Sequence, residues 1–225
     1  MKRIIITLAL ISIIGLTFAQ DKKCKCFDGI GSSAGDQPSL TIKFKNGINL
    51  AVCGYEIEMR SDTEVVISEF NVFNCKTGKS VVEYGAVKTC NVQVKKGELV
   101  ITEMKRLPCG KDWTWKLTPV SLVMIYEQGE KVEVSDMVCA YENVDIDESA
   151  INELFDEVKA LKEKGSHKDM ERILGRLEVL ALNNNQKAKR MIKNIGRYID
   201  FSLDGSVQEQ WNAAIKTMIE VGRYE

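Results

Sequence analysis

The seven cysteines of this chain (Cys24, Cys26, Cys53, Cys75, Cys90, Cys109 and Cys139) all precede residue 140, and residues 140–225 contain none. That partition constrains the fold more than any other feature. Cysteines crowd into folds that need cross-links, whereas a cysteine-free stretch must rely on its hydrophobic pattern alone. The hydrophobic pattern changes at nearly the same place, so a boundary falls between residues 142 and 145.

Before the boundary the chain reads as short strands. Residues 39–45 and 48–58 flank Asn46-Gly47, a pair that favours a two-residue hairpin because both positions tolerate positive φ. That turn would place Phe44 opposite Asn49 and Ile42 opposite Ala51. Cys53 then shares the interior face of Ile42 and Phe44. Further strand-like runs cover 64–70, 80–84, 87–94, 98–105, 113–117, 120–127 and 131–136, with tight reversals at 95–97 and 128–130. The expectation for residues 39–142 is an antiparallel all-β sandwich or barrel braced by disulfides.

After the boundary the period becomes helical. Ile151, Leu154, Phe155, Val158 and Leu161 form one apolar stripe, and Met170, Ile173, Leu174, Leu177 and Leu180 a second. Met191, Ile192, Ile195 and Ile199 form a third; Val207, Trp211, Ile215, Met218 and Ile219 form a fourth. Ser166 with Asp169, and Ser206 with Glu209, fit reciprocal capping boxes at helix starts. Residues 145–225 should therefore be a four-helix bundle or paired helical hairpins of about four turns each. The overall class is α+β, with the two kinds of element segregated.

Residues 1–19 carry Lys2 and Arg3, then an almost wholly apolar run to Phe18 and a small residue at Ala19. That order is a secretory leader, too short in its apolar core to span a bilayer. Cleavage after Ala19 leaves a Cys- and Gly-containing flexible segment, 20–38. No later run is long and apolar enough for a membrane span, so the product is expected to be soluble and exported, periplasmic or extracellular. There cysteine pairing is the default, and an odd count predicts three disulfides with one thiol left over. Cys24-Lys25-Cys26 is a C-x-C rather than a redox C-x-x-C, and nothing completes a zinc set.

Other motifs fail on spacing. Residues 29–35 are glycine-rich, but no strand precedes them and no helix signal follows before Pro38, as a phosphate loop requires. Asn143, Asp145 and Asp147 alternate like calcium ligands, yet Glu148 stands where glycine is needed and Leu154 where an acid is needed, so capping explains them better. His167, the one histidine, falls at a helix start and leaves no base for a serine or cysteine nucleophile. No catalytic residue, metal site or cofactor is expected.

Two patches stand out as candidate binding surface. Trp113 and Trp115 would share one face of a strand, suiting a carbohydrate or protein partner if exposed. Lys187, Lys189, Arg190, Lys193 and Arg197 give the third helix a basic side, while the first helix is acid-rich. The 31 Lys+Arg against 32 Asp+Glu argue against nucleic acid. The expected function is thus a non-enzymatic, exported protein that binds a protein partner, with an inhibitor or immunity role as a narrower form. The alternatives are a carbohydrate-binding or carbohydrate-active protein using the tryptophans, and a surface structural protein.

Overall fold

The computed structural model describes residues 24–27, 36–164 and 166–224. The leader-like residues 1–19 and the glycine-rich stretch 29–35 lie outside the described residues. Among the described residues eight strands come first in the chain: β1 (Leu40–Lys43), β2 (Asn49–Ser61), β3 (Glu64–Asn74), β4 (Ser80–Lys95), β5 (Glu98–Cys109), β6 (Thr114–Gln128), β7 (Lys131–Val134) and β8 (Val138–Cys139). Four helices follow: α1 (Glu148–Lys164), α2 (His167–Leu182), α3 (Gln186–Lys193) with a 3-10 turn at Ile195–Arg197, and α4 (Gly205–Glu220).

The strands pair antiparallel in chain order from β1 to β7, with β8 added beside β6. This meander curls. The Lys45 amide donates to Glu127 Oε2 at 2.7 Å, and the Asn46 side chain donates to the carbonyls of Gly129 and Lys131, so the first hairpin meets the β6–β7 turn. Leu40, Ile42, Leu50, Val52, Ile67, Phe70, Val92, Leu99, Ile101 and Ile125 fill the concave side as one core. One curled sheet, rather than two packed sheets, therefore encloses the β core, and among the described residues no ladder joins β1 to β7.

The first hairpin corrects the sequence expectation by one residue. Phe44 N–H donates to Ile48 C=O at 2.9 Å, closing a three-residue loop, Lys45-Asn46-Gly47, with Gly47 at φ +84°. Ile42 consequently pairs with Leu50 instead of Ala51, and Thr41 takes Ala51. A one-residue slip flips every side chain of the partner strand, so Cys53 moves with Ala51 to the face opposite Ile42. There it meets Cys26 and Phe73 in a separate small cluster.

The helices pack around α2, whose Ile173, Leu174, Leu177, Val179, Leu180, Ala181 and Leu182 are all buried. The expected capping box forms at its start: Asp169 N–H donates to Ser166 Oγ, and Ser166 N–H donates to Asp169 Oδ2. Three successive asparagines then divide the work of ending α2. Asn183 brackets Val144 by accepting its N–H at 3.1 Å and donating to its C=O at 2.7 Å. Asn184 takes φ +66°, and Asn185 caps α3 through Lys187 and Ala188 N–H.

Two helix expectations are corrected. Residues 186–193 make only eight residues of helix before the 3-10 turn, short of the four turns expected. The capping box at Ser206 does not form, because α4 starts at Gly205 and Ser206 Oγ instead donates to Glu171 of α2 at 2.7 Å. The box spacing was present, but a tertiary acceptor took the hydroxyl.

The halves are not separate bodies in packing terms. Leu107, Cys109, Val120 and Tyr141 from the β half form one buried cluster with Val179, Leu182 and Val221 from the helical half. Gly175 sets the approach distance. A Cβ there would lie 3.0 Å from the Trp115 ring and 3.3 Å from Pro108, so only glycine lets the helix come this close without displacing them.

Candidate functional site

The cysteines separate into two groups. Cys24 bonds to Cys75 and Cys26 to Cys53, with Cα separations of 5.3 and 5.8 Å. Cys90 and Cys109 are buried thiols, and Cys139 is a half-buried one. Two disulfides and three thiols thus replace the expected three and one. The C-x-C is structural: its alternate residues reach β2 at Cys53 and the turn after β3 at Cys75, tying Cys24–Phe27 to the sheet, where Phe27 meets the Phe73 ring edge-on at 5.0 Å. Burial pushes the Cys90 thiol up to about 12, with Glu103 adding to the effect, so it stays protonated and unreactive.

The tryptophans are not a platform on one strand face. Trp113 sits in the turn before β6 at φ +51°, packed against the helical core with the Arg176 guanidinium 5.2 Å from its ring centroid. Trp115 lies on β6, 44 % exposed, its ring reaching Gly175 of α2.

The basic side of α3 also divides. Lys189 is only 4 % exposed, whereas Arg190 and Arg197 are exposed and Lys193 is half-buried. Lys187 lies 3.9 Å from the centroid of the Phe155 ring. Of the acids of α1, Glu157 pairs with α2 through Arg172 at 2.8 Å and Arg176 at 3.7 Å, and Asp156 pairs within α1 with Lys159 at 2.7 Å.

The expected capping role of Asp147 holds. Its carboxylate accepts the N–H and hydroxyl of Ser149, both at 2.9 Å, and these bonds hold its carboxyl below the usual range. His167 is the first residue of α2; its side chain lies outside the described residues. Among the described residues no group of three or more His, Cys, Asp or Glu side chains could hold a metal ion.

Two features escaped the sequence reading. The first is a charged seam where the sheet meets the helices. Lys88 Nζ lies 2.6 Å from Glu103 Oε2 and 3.6 Å from Glu220 Oε2, while Ser121 also donates to Glu103. Deeper, Lys105 pairs with Glu178, which is 1 % exposed. Burial opposes charge on Lys88, but Glu103 and Glu220 outweigh it and raise its pKa, so it remains an ammonium. Burial raises the Glu178 carboxyl, against the opposing pull of Lys105 and a Thr217 hydrogen bond. Each carboxylate is occupied by a lysine, which suits a clasp between sheet and helices better than acid–base chemistry. The sequence signal was Glu178 itself, a lone charge inside the apolar run 177–182.

The second feature is a groove between α3 and α4, with a volume of about 590 Å³ and lined by Lys193, Trp211, Ile215, Lys216, Ile219 and Tyr224. The fourth apolar stripe runs from core to surface: Val207, Ala214 and Met218 are buried, but Trp211 and Ile215 are half-buried and Ile219 is 56 % exposed. Trp211 Nε1 donates to Ile192 C=O at 2.9 Å, fixing α4 to the last turn of α3. Lys193 Nζ sits 4.0 Å from the Tyr224 ring centroid at the rim. The result is an apolar trough with lysines at its edge.

No protein-family model, curated protein or solved structure matches the chain.

Proposed function

We propose that the protein is an exported, non-enzymatic module that recognises a protein partner through the groove between α3 and α4. The observation that carries this is the ridge of Trp211, Ile215 and Ile219, an apolar strip left open beside Lys193 and Lys216 although the helical core beneath it is closed. Exposed apolar surface of this kind costs solubility unless something covers it. Export is supported by the leader pattern of residues 1–19 and by the two disulfides, which suit an oxidising compartment. Among the described residues, no helix is long and apolar enough to cross a membrane.

The test is a photo-reactive residue placed at Ile219 in the cell that makes the protein, with Lys96 in the exposed β4–β5 turn as control. A discrete protein adduct is expected from position 219 and none from 96. Absence of any protein adduct at 219 would sink the reading. A glycan array read against Trp115→Ala tests the carbohydrate alternative, which rests on Trp115 now that Arg176 covers Trp113.

A further inference from the structure

Three properties of the α3–α4 groove specify the shape and charge of what fills it. Its floor is one ridge. Trp211, Ile215 and Ile219 stand four residues apart, about 12 Å end to end at the helical rise. That is about two turns, the length over which a second helix sets its own i, i+4 side chains into a groove.

It is bordered by α4, the end of α3 and Tyr224 beyond α4, with no strand edge among its lining residues, and the indole N–H of Trp211 is spent on Ile192. An extended segment lying there would find no ladder partner for its N–H and C=O groups, whereas a helix arrives with them satisfied.

Its rim is cationic. Lys193 and Lys216 line it, Arg190 stands one turn before Lys193, and Arg197 follows in the 3-10 turn. Glu220, the carboxylate among the lining residues, is held by Lys88 at 3.6 Å and by Lys216 at 3.7 Å.

We infer that the groove receives an acidic amphipathic helix presented by a protein partner, its apolar side on the Trp211–Ile215–Ile219 ridge and its carboxylates towards Lys193, Lys216, Arg190 and Arg197. This rests on the protein-binding reading above and narrows it to one kind of partner surface.

The experiment titrates the full exported chain by calorimetry with three synthetic peptides of roughly 20 residues, long enough to be partly helical in water. One carries leucines at helical spacing on a glutamate background. The second replaces the glutamates with lysines, and the third keeps the acidic composition but has two central prolines that prevent a helix. The acidic helix should bind roughly tenfold more tightly than either of the others and gain helicity on binding. Ile219→Glu should weaken it by roughly tenfold, and Lys193→Glu with Lys216→Glu should shift the preference to the lysine peptide. Ile219 and Lys216 are well exposed and Lys193 is half-buried, and unchanged circular dichroism and urea midpoints are required of each variant before its binding is read.

Equal binding of all three peptides, tighter binding of the lysine or proline peptide, or no binding at all would overturn the inference. So would self-association of the chain, seen by sedimentation and abolished by Ile219→Glu, because the occupant would then be a second copy. The cross-link at Ile219 reads separately. A captured partner that docks through a basic or extended segment ends the helix assignment and leaves the protein-binding reading standing. An adduct-free position 219 in a chain that still binds the acidic peptide ends the protein-binding reading, and with it the inferred partner, leaving only the groove's preference for an acidic helix.

Discussion

On one flank of the sheet, Ala51, Cys53 and Phe73 are covered by Cys26 and its neighbours, a cluster of few side chains closed by two disulfides. On the other, Leu107, Val120 and Tyr141 are covered by Val179, Leu182 and Val221, with the Lys105–Glu178 pair beside them and the thiols of Cys109 and Cys139 left reduced. The difference follows from how much apolar surface each cover brings. A short N-terminal segment cannot bury enough to hold itself down, so it is cross-linked; a helix carrying a full apolar face can. The cysteine count misled for this reason. It implied that the whole β half needs staples, whereas α2 braces one flank by packing.

Removing the staples should have the largest effect. The loops they close span 27 and 51 residues in sequence separation, worth about 3.5 and about 4 kcal/mol in the chain-entropy treatment, taken singly. Cys26→Ser with Cys53→Ser should therefore lower stability by roughly 3.5 kcal/mol, read as a fall in the urea midpoint. The same variant should leave the helical half folded, with little change in the helical circular dichroism before the transition.

On the packed flank, Leu107→Ala should cost roughly 3 kcal/mol through the cavity it leaves. It should do so equally in the presence and absence of reductant once the disulfide loss itself is subtracted. A Leu107→Ala effect that doubles on reduction would mean the two flanks are not independent supports.

The Lys105–Glu178 pair sharpens the contrast through pH. Lys105→Met leaves Glu178 buried without its cation and should cost about 3 kcal/mol at neutral pH. A carboxyl whose folded pKa lies above its ordinary 4.5 imposes no penalty below that value, and the penalty grows as the pH rises towards the folded pKa. The variant should thus approach natural stability in acid and fall away at neutral pH. Lys105→Met with Glu178→Leu should recover most of the loss at all pH values. A deficit in the double variant as large as in the single one would show that the charges do more than fill the seam.

The smallest effect belongs to the linker. Asp147→Ala removes the cap on α1, and because the Asp147 carboxyl is held below its usual range, its contribution is present at neutral pH and lost as the pH falls through that lowered value. A pH-independent change in stability would contradict the assignment.

Much of the molecule was legible before the coordinates. Strand and helix content, the place where one gives way to the other, the Ser166–Asp169 box and the capping role of Asp147 all follow from local chemistry. What failed depended on distant partners. Asn46-Gly47 marked a turn, but whether two or three residues form the loop is decided by the pairing of the strands around it, and that one residue moved Cys53 to the other face. Ser206 had a box partner at Glu209 and took Glu171 of another helix instead. Lys189 and Arg190 are neighbours in sequence, yet one is buried and the other exposed. The groove was hidden for a related reason: Trp211, Ile215 and Ile219 match the core period, and only the position of α3 shows that they lie beside the core.

The claim that one flank is cross-linked and the other is held by packing is tested most directly by thiol counting and peptide mapping of the denatured, unreduced protein. Trypsin cleaves after Lys25 and separates Cys24 from Cys26, so the two bridges can be read individually. The account predicts alkylation at Cys90, Cys109 and Cys139, with Cys24 joined to Cys75 and Cys26 to Cys53. A single alkylated cysteine, or a peptide joining Cys109 to Cys139, would contradict it.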